Sequence, residues 1–519
     1  MREVTEKVAR CNVKFLIKRS NFLNSGMHHK ALDILSTFTD PEFETFGKFL
    51  NSPFFNTGKK ILQLYEFLYE HRDKNMISSL KDAEVSRMIF PDNRYNKSTF
   101  NALFADLHRM LNQFLIVQNI LSKELEPEDL LREELFKRGL FKSVKSSVER
   151  SWQMLSEERS GSEYFMNLFR LSNDEANLKY LSSPLHSKSS VAEDLEMIFQ
   201  RGIHLCCLFT SEIYRGSENI FDKSVTLKAD DAGRSAMQLS RLVDLSSLAD
   251  FIVSYCADDK SRAYFRILRA ERNAFSNFDD EKKYFVLKKE VVKNEDMLSS
   301  DDIRFHYGRL MKYCIMKKRS LTNTTRFDLE LFEIYRKILE RGYYKSQVSS
   351  HLQPELYRNI LMHALKIRKF FWANRFIRDF SDELDPDRRE NLRNYARIRY
   401  SFERGEFIKA MNLINKIRAD NFIFKIDIRN LTLMIHFELN NLDTVKQLLA
   451  SYSQFLSSVS GLSKNAVRSY KTFVKALKDL GIIRRSNSSS AEFRLKKALD
   501  GQFANRDWVL KKYIALRKD

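Results

Sequence analysis

The sequence is poor in the residues that make tight turns. Its 519 residues include only 14 glycines and 7 prolines, well below the usual shares of about 7% and 5%. Chains built from many strands need these residues at corners and at positions of positive φ. The shortage argues against a Rossmann sheet, a β-sandwich and a collagen-like fibre, and it predicts an all-α protein.

Cysteine is also scarce, with five residues at irregular spacing. An odd number of scattered cysteines in a chain of this size does not fit a disulfide framework. The N-terminal residues hold no apolar run of about 7–15 residues, which a signal peptide needs. No uncharged apolar stretch approaches 18 residues, so no membrane span is predicted. These absences together indicate a reducing, cytoplasmic location.

Common motifs of cofactor, metal and catalytic sites are missing. The sequence has no glycine-rich phosphate loop, no C-x-x-C, no H-E-x-x-H and no G-x-S-x-G. Its one local His/Cys cluster, His204 with Cys206 and Cys207, lies in the apolar run IHLCCLF, where cysteine behaves as a small hydrophobic residue. We therefore predict that this cluster is core, that there is no cofactor or metal, and that the protein is not an enzyme.

Charge is unevenly distributed along the chain. Lysine and arginine number 88 against 68 aspartates and glutamates, for a net charge of +20. Residues 1–260 carry a net −2, whereas residues 261–519 carry +22. Such an asymmetry predicts an acidic partner, which is a nucleic acid, an anionic membrane surface or an acidic protein. The alternative is a basic surface that is merely solvated.

Apolar residues recur at helical spacing almost everywhere. One stripe follows a capping residue at Asn96 or Ser98, and a second lies within residues 327–339. The first stripe consists of Leu103, Leu107, Met110, Phe114 and Val117, and the second of Phe327, Leu331, Ile334, Tyr335, Ile338 and Leu339. Each stripe predicts one buried helix face.

A short segment recurs at intervals of 35 to 37 residues. FERGEFIKAMNLI (402–414) aligns with FELNNLDTVKQLL (437–449) and with LKIRKFFWANRFI (365–377). More distant copies are FKRGLFKSVKSSV (136–148) and the degenerate ERGYY (340–344). In this alignment, glycine or asparagine occupies the bend between two helices, and an aromatic residue follows it. A small residue further on lets the two helices of the pair pack closely. This pattern predicts stacked antiparallel helix pairs in a solenoid-like array.

Over about residues 352–458 this pattern resembles the tetratricopeptide repeat. Gly405, Phe407 and Ala410 stand where that family has its turn glycine, its aromatic and its small residue. The first-helix tryptophan and the closing proline of the family are missing in this frame. The resemblance implies a right-handed superhelix whose concave face binds segments of other proteins.

The N-terminal part is similar to an uncharacterised family of large all-helical bacterial proteins. Its markers are the segment NSPFFN (51–56) and the tripeptide at 90–92, Phe-Pro-Asp. This resemblance implies a helical fold but does not imply any activity.

Polar breaks divide the chain into five predicted segments. They are a basic leader at 1–26, an N-terminal helical domain at 27–125, an irregular hairpin array at 126–345, tetratricopeptide-like repeats at 346–485, and capping helices at 486–519.

The sequence thus favours a non-enzymatic interaction scaffold with a basic groove for an acidic protein segment. The predicted binding residues are basic positions outside the core register, namely Arg368, Lys369, Arg375, Arg397, Arg399 and Lys409.

The alternative is a nucleic-acid-binding or transcription-regulatory protein. Residues 366–378 interleave cations with aromatics, a pattern that suits phosphates and bases. Residues 81–90 and 97–111 faintly resemble a helix-turn-helix, although the connection is longer than the usual 3–4 residues.

Overall fold

A computed structural model of the chain describes residues 29–56, 58–72, 82–91, 96–182, 188–226, 238, 242–346, 349–414, 416–417, 422–458 and 464–517. The prediction of an all-α protein is confirmed. Within these ranges the structure has 23 α-helices and one 3-10 turn, and its nearest approach to a strand is a single parallel bridge between Ser160 and Leu298. None of the helices that the structure describes is long and apolar enough to cross a membrane.

The chain forms two compact units. Unit 1 comprises residues 1–157 and 177–183, and unit 2 comprises residues 158–176 and 184–519. Unit 1 therefore includes the first helix pair beyond residue 125, which the sequence prediction placed in its next segment. The predicted leader at 1–26 lies outside the described residues.

Unit 1 is built around one long helix. Its helices are α1 Lys30–Leu35, α2 Asp40–Leu50, α3 Lys59–Glu70, α4 Asp82–Ile89, α5 Lys97–Ser122, α6 Leu125–Lys137 and α7 Phe141–Glu157. The Asn96 side chain caps α5 by accepting the backbone N–H groups of Ser98 and Thr99, at 2.9 and 3.3 Å. The predicted stripe of α5 is confirmed, because its first four residues are buried in the core with α1–α3 and Val117 packs against that core.

The segment with a helix-turn-helix resemblance has a different organisation. Helix α5 runs for 26 residues rather than ending near Leu111, and its Phe100–Phe114 stretch supplies seven buried side chains. It is the central helix of this core and not a short second helix placed on a surface. Helix α5 ends at Ser122 and α6 begins at Leu125, so the two helices are separated by only two residues here.

Unit 2 contains the rest of the helices. They are α8 Ser162–Ser182, which extends into unit 1, α9 Lys188–Thr226, α10 Leu245–Tyr255, α11 Asp259–Ser276, α12 Glu281–Lys293, α13 Ser300–Ser320, α14 Thr325–Glu340, α15 Pro354–Lys366, α16 Phe370–Phe380, α17 Pro386–Glu403, α18 Phe407–Ile414, α19 Phe422–Glu438, α20 Leu442–Ser458, α21 Lys464–Ser486, α22 Ser489–Leu499 and α23 Arg506–Leu516. All six residues of the second predicted stripe are buried in α14.

The predicted bends share one backbone geometry. Gly139, Gly342, Arg368, Gly405 and Asn440 all have φ between 58° and 78°. At each bend the residue's own N–H bonds the carbonyl three residues back, and the next N–H bonds the carbonyl five residues back from itself. This is a Schellman turn, which satisfies the last carbonyls of a helix. The degenerate copy at Gly342 ends α14 in the same way, although no helix follows it directly.

The C-terminal helices pack in sequence order. Helices α15 and α16, α17 and α18, and α19 and α20 form antiparallel pairs, and α17 also contacts α15 and α19. The small residues that the repeat predicted inside the pairs, Ala373 and Ala410, are fully buried.

Candidate partner-binding groove

A groove of about 1140 Å³ opens between α16, α17 and α18 of unit 2. Its wall residues come from both helices of one hairpin, from the preceding α16 and from the end of α19. They are Asn374, Ile377, Arg397, Tyr400, Ser401, Gly405, Glu406, Phe407, Ile408, Lys409, Asn412, Leu413, Lys416 and Leu439. Gly405, in the turn between α17 and α18, is itself one of these wall residues.

Two cations in the groove form no ion pair within the described ranges. Arg397 on α17 and Lys416 after α18 are both exposed. Neither forms an ion pair with any residue that the structure describes. Because neither charge is paired within the described part of the chain, an anionic ligand in the groove would gain both interactions without breaking an ion pair described there.

A third cation is already paired. Lys409 Nζ lies 3.1 Å from Glu406 Oε2, and Arg404 Nε lies 2.9 Å from Glu406 Oε1. The hydrogen bond from Lys409 is the main reason why the pKa of Glu406 is held below its usual value. Glu406 therefore remains ionised and offsets part of the positive charge at this end of the groove.

The remaining wall is apolar with polar edges. Ile377 is buried beneath the groove, whereas Ile408 is 71% exposed on α18. Asn374 and Asn412 are exposed, and an amide side chain both donates and accepts hydrogen bonds, as a peptide backbone does. An apolar wall with amides and unpaired cations suits a peptide segment that carries both acidic and apolar side chains.

The six predicted binding residues occupy different environments. The structure brings Arg397 and Lys409 into the groove. Arg368 and Lys369 are exposed in the turn between α15 and α16, outside the groove wall. Arg375 is exposed on α16, where its Nε lies 3.2 Å from Asp379.

Arg399 corrects the assumption that all six lie outside the core register. It is buried on α17, with 7% of its surface exposed, and its Nε lies 3.0 Å from Met362 Sδ on α15. Positions 397 and 399 are two apart and therefore face roughly opposite sides of a helix. One side of α17 meets the groove, so the other meets α15.

Sequence reasoning missed several groove residues. Lys416 follows the repeat segment, beyond the positions that the repeat aligned, and Asn374 and Asn412 carry no charge that would single them out. Helical-wheel projections of α16 and of α18 would have placed Asn374 and Asn412 on exposed faces. They would not have shown that these faces meet across α17.

Two residues of the His/Cys cluster, His204 and Cys207, are buried in the core as predicted, whereas Cys206 is partly exposed. Cys207 is fully buried, and His204 Nδ1 lies 2.6 Å from Ser172 Oγ. Burial raises the pKa of the Cys207 thiol, whereas the hydrogen bond from Cys207 lowers the pKa of Cys256 at the end of α10. Within the described ranges no group of three or more such side chains is arranged to hold a metal ion.

A buried ionic cluster, made of residues on α9, α11 and α13, was also missed. Glu271 is fully buried, and it accepts hydrogen bonds from Tyr214, Arg309 and His306, the last at 3.1 Å. Glu218 pairs with Arg309 and, at 3.1 Å, with Lys312. Burial raises the pKa of Glu271, but the charge of Arg309 and the hydrogen bond from His306 outweigh it and hold that pKa below its usual value. Through these contacts the cluster joins three helices.

Comparison with known proteins finds no match. Neither the family models, nor the curated proteins, nor the solved structures include a match to this chain.

Proposed function

We propose that this chain is a non-enzymatic interaction scaffold whose groove between α16, α17 and α18 binds an acidic segment of a partner protein. In this proposal the helix pairs of the C-terminal region form a tetratricopeptide-like solenoid, and the groove lies on its inner side. The free, buried cysteines suit a reducing cytoplasm.

The main support is the pair of cations, Arg397 and Lys416, that lie beside an apolar wall and form no ion pair with any described residue. Residues 365–417, which include the groove walls from α16 to α18, hold 13 lysines and arginines against 8 aspartates and glutamates. Most of the acidic residues that contact cations here, such as Asp379 and Glu406, lie outside or at one end of the groove. The excess charge is therefore available where a ligand would lie, and it would also accelerate encounter with an acidic segment.

A nucleic-acid ligand remains the second candidate because of the basic half of the chain. The aromatic residues of 366–378 do not favour it. Trp372 stacks on Phe376 at 5.4 Å and meets Phe332 edge-on at 4.9 Å, so these rings pack within the helix pairs. Phe371 is exposed, but a single ring gives little base stacking. The groove therefore favours a peptide.

Fluorescence anisotropy with defined probes tests the proposal. The acidic probe is a labelled peptide of about twelve residues in which aspartate and glutamate alternate with leucine and phenylalanine. Its neutral counterpart has asparagine and glutamine at the acidic positions, and mixed-sequence single-stranded DNA and RNA are the third and fourth probes. We expect the full chain to bind the acidic peptide at least about tenfold more tightly than the neutral one.

Variants assign that binding to the groove. Arg397→Glu with Lys416→Glu should abolish binding of the acidic peptide. Lys289→Glu with Lys475→Glu makes the same charge change at exposed positions of α12 and α21 and should leave binding within about twofold. Equal loss in both double variants would mean that only net charge matters. Tighter binding of DNA or RNA than of the peptide, lost in the groove variant, would replace the protein partner by a nucleic acid.

A further inference from the structure

Helix α9 has an exposed apolar stripe opposite its buried face. The stripe consists of Val191, Leu195, Ile198, Leu205 and Phe209, of which Leu195 and Ile198 are 63% and 52% exposed. Leu205 lies two positions from both Ile203 and Cys207, which are buried, and two positions turn a helix by about 200°. Helix α9 is thus apolar on both sides, and such a helix normally has neighbours on both sides.

The spacing of the stripe is that of a coiled coil. With Gly202 included, its positions follow one another at intervals of four, three, four, three and four residues. This is a strict repeat of 3.5 residues, the period of the a and d positions that pack knobs into holes. None of these positions carries a charge. The sequence of α9 therefore fits a second helix with the same period.

Gly202 supplies an independent indication of close approach. Glycine in a helix interior costs about 1 kcal/mol relative to alanine, so its presence needs a reason. A Cβ built at Gly202 would meet nothing within 4 Å among the residues that the structure describes. The packing of those residues does not require glycine here, whereas another backbone that crosses the stripe at this point would.

Three aromatic residues extend the apolar surface beside the stripe. Phe199 lies next to the stripe on α9, and its ring centroid is 6.1 Å from that of Phe251 and 6.2 Å from that of Tyr255 on α10. All three rings are at least 40% exposed. With side-chain areas on the order of 150–250 Å² each, the stripe and these rings leave on the order of 800 Å² open, the area that each partner of a standard interface buries.

We propose that two copies of this chain associate through helix α9, with the two stripes packed against each other in a two-stranded coiled coil that includes Gly202. A two-fold interface uses the same patch on both partners, and a uniform apolar stripe is complementary to itself. A membrane surface suits it less well, because the positions that flank the stripe include Asp194, Glu196 and Glu212, whereas lipid-binding helices carry basic flanks.

The mass of the full chain in solution tests this inference. Light scattering over a dilution series should give twice the chain mass of 61.4 kDa at high concentration. Leu195→Asp with Leu205→Asp should raise the dimer dissociation constant at least about tenfold, because it buries unpaired carboxylates in the interface. Val286→Asp with Leu329→Asp, at exposed apolar positions of α12 and α14, is the matched control and should leave the dimer intact.

A cross-link provides a second readout. Cys206, which is partly exposed beside the stripe, should join two chains through a bis-maleimide reagent, and both Cys206→Ser and the stripe variant should abolish that product, while circular dichroism shows unchanged helix content in every variant. A wild-type chain that stays monomeric at all concentrations would overturn the proposal. So would a dimer that survives in the stripe variant, or sedimentation of a monomeric chain with phosphatidylcholine vesicles.

Discussion

Two regions of unit 2 differ in whether their positive charges are paired with acidic side chains. In the buried ionic cluster, Arg309 contacts Glu271 and Glu218 with 5% of its surface exposed. In the groove, Arg397 and Lys416 are exposed and pair with no described residue. A buried charge must be paired because the protein interior does not solvate it, whereas an exposed charge needs no partner within the chain. The first region therefore contributes to stability and the second is free to contribute to binding.

We expect the largest effect on stability from a substitution in the buried ionic cluster. Arg309→Leu should lower the free energy of unfolding by about 3–5 kcal/mol, because it leaves Glu271 buried without its main counter-charge. Urea titration measures the change. Arg309→Lys keeps a charge and should cost less. If Arg309→Leu changes stability by less than about 1 kcal/mol, the cluster is not the structural element that we describe.

A second buried group, the imidazole of His363, should make the stability of the protein depend on pH. His363 donates from Nε2 to the carbonyl of Asp328 at 2.8 Å, with Lys318 Nζ 3.3 Å from Nδ1. Burial is the main cause that lowers the pKa of His363 to about 4. The unfolded chain, with a histidine pKa of about 6.5, then binds the proton more readily than the folded one, so stability falls as the pH decreases from about 6.5 towards 4.

The size of this effect is measured against a variant that does not titrate. Between pH 7.5 and pH 5 the His363 contribution should be about 1–2 kcal/mol. Urea unfolding of the wild type and of His363→Gln at both pH values isolates it, and the variant should lose less stability on acidification. Parallel losses in the two proteins would show that His363 is not buried in its neutral form.

The Gly405 turn in the groove wall should give a smaller effect. Gly405 has φ of 78° and Arg368 has φ of 58° in the same kind of turn. Gly405→Ala should cost about 1 kcal/mol, because a Cβ is strained in the left-handed region. Arg368→Gly removes that strain but increases the conformational entropy of the unfolded chain. The two effects oppose each other, so stability should change by less than about 1 kcal/mol. Thermal unfolding of both variants compares the turns, and a larger loss in Arg368→Gly would contradict this ranking.

The smallest effect is expected for the unpaired cations themselves. Arg397→Leu with Lys416→Leu should change the free energy of unfolding by no more than about 0.5 kcal/mol, because exposed charges without partners contribute little to stability. The same urea titration that is used for Arg309 measures it. A loss as large as that of Arg309→Leu would remove the contrast between the two regions.

The amino-acid sequence by itself determined the local structure. Apolar residues at helical spacing identified the buried faces of α5 and α14, and Asn96 marked the start of α5. The repeat located all five Schellman turns, even at Arg368, where no glycine indicates the bend. These features follow from interactions within a few residues of one another, namely capping, helical period and a turn whose hydrogen bonds close over five residues.

The tertiary structure alone decided which charges meet. Glu271 and Arg309 are 38 residues apart, and Glu218 lies further away still, so no spacing in the sequence could reveal their cluster. It also decided that Arg397 faces the groove while Arg399, two residues on, contacts Met362. Both outcomes depend on which helix packs beside which, and that choice rests on contacts between distant segments. Helical period alone fixes which residues share a face of a helix, but not what that face meets.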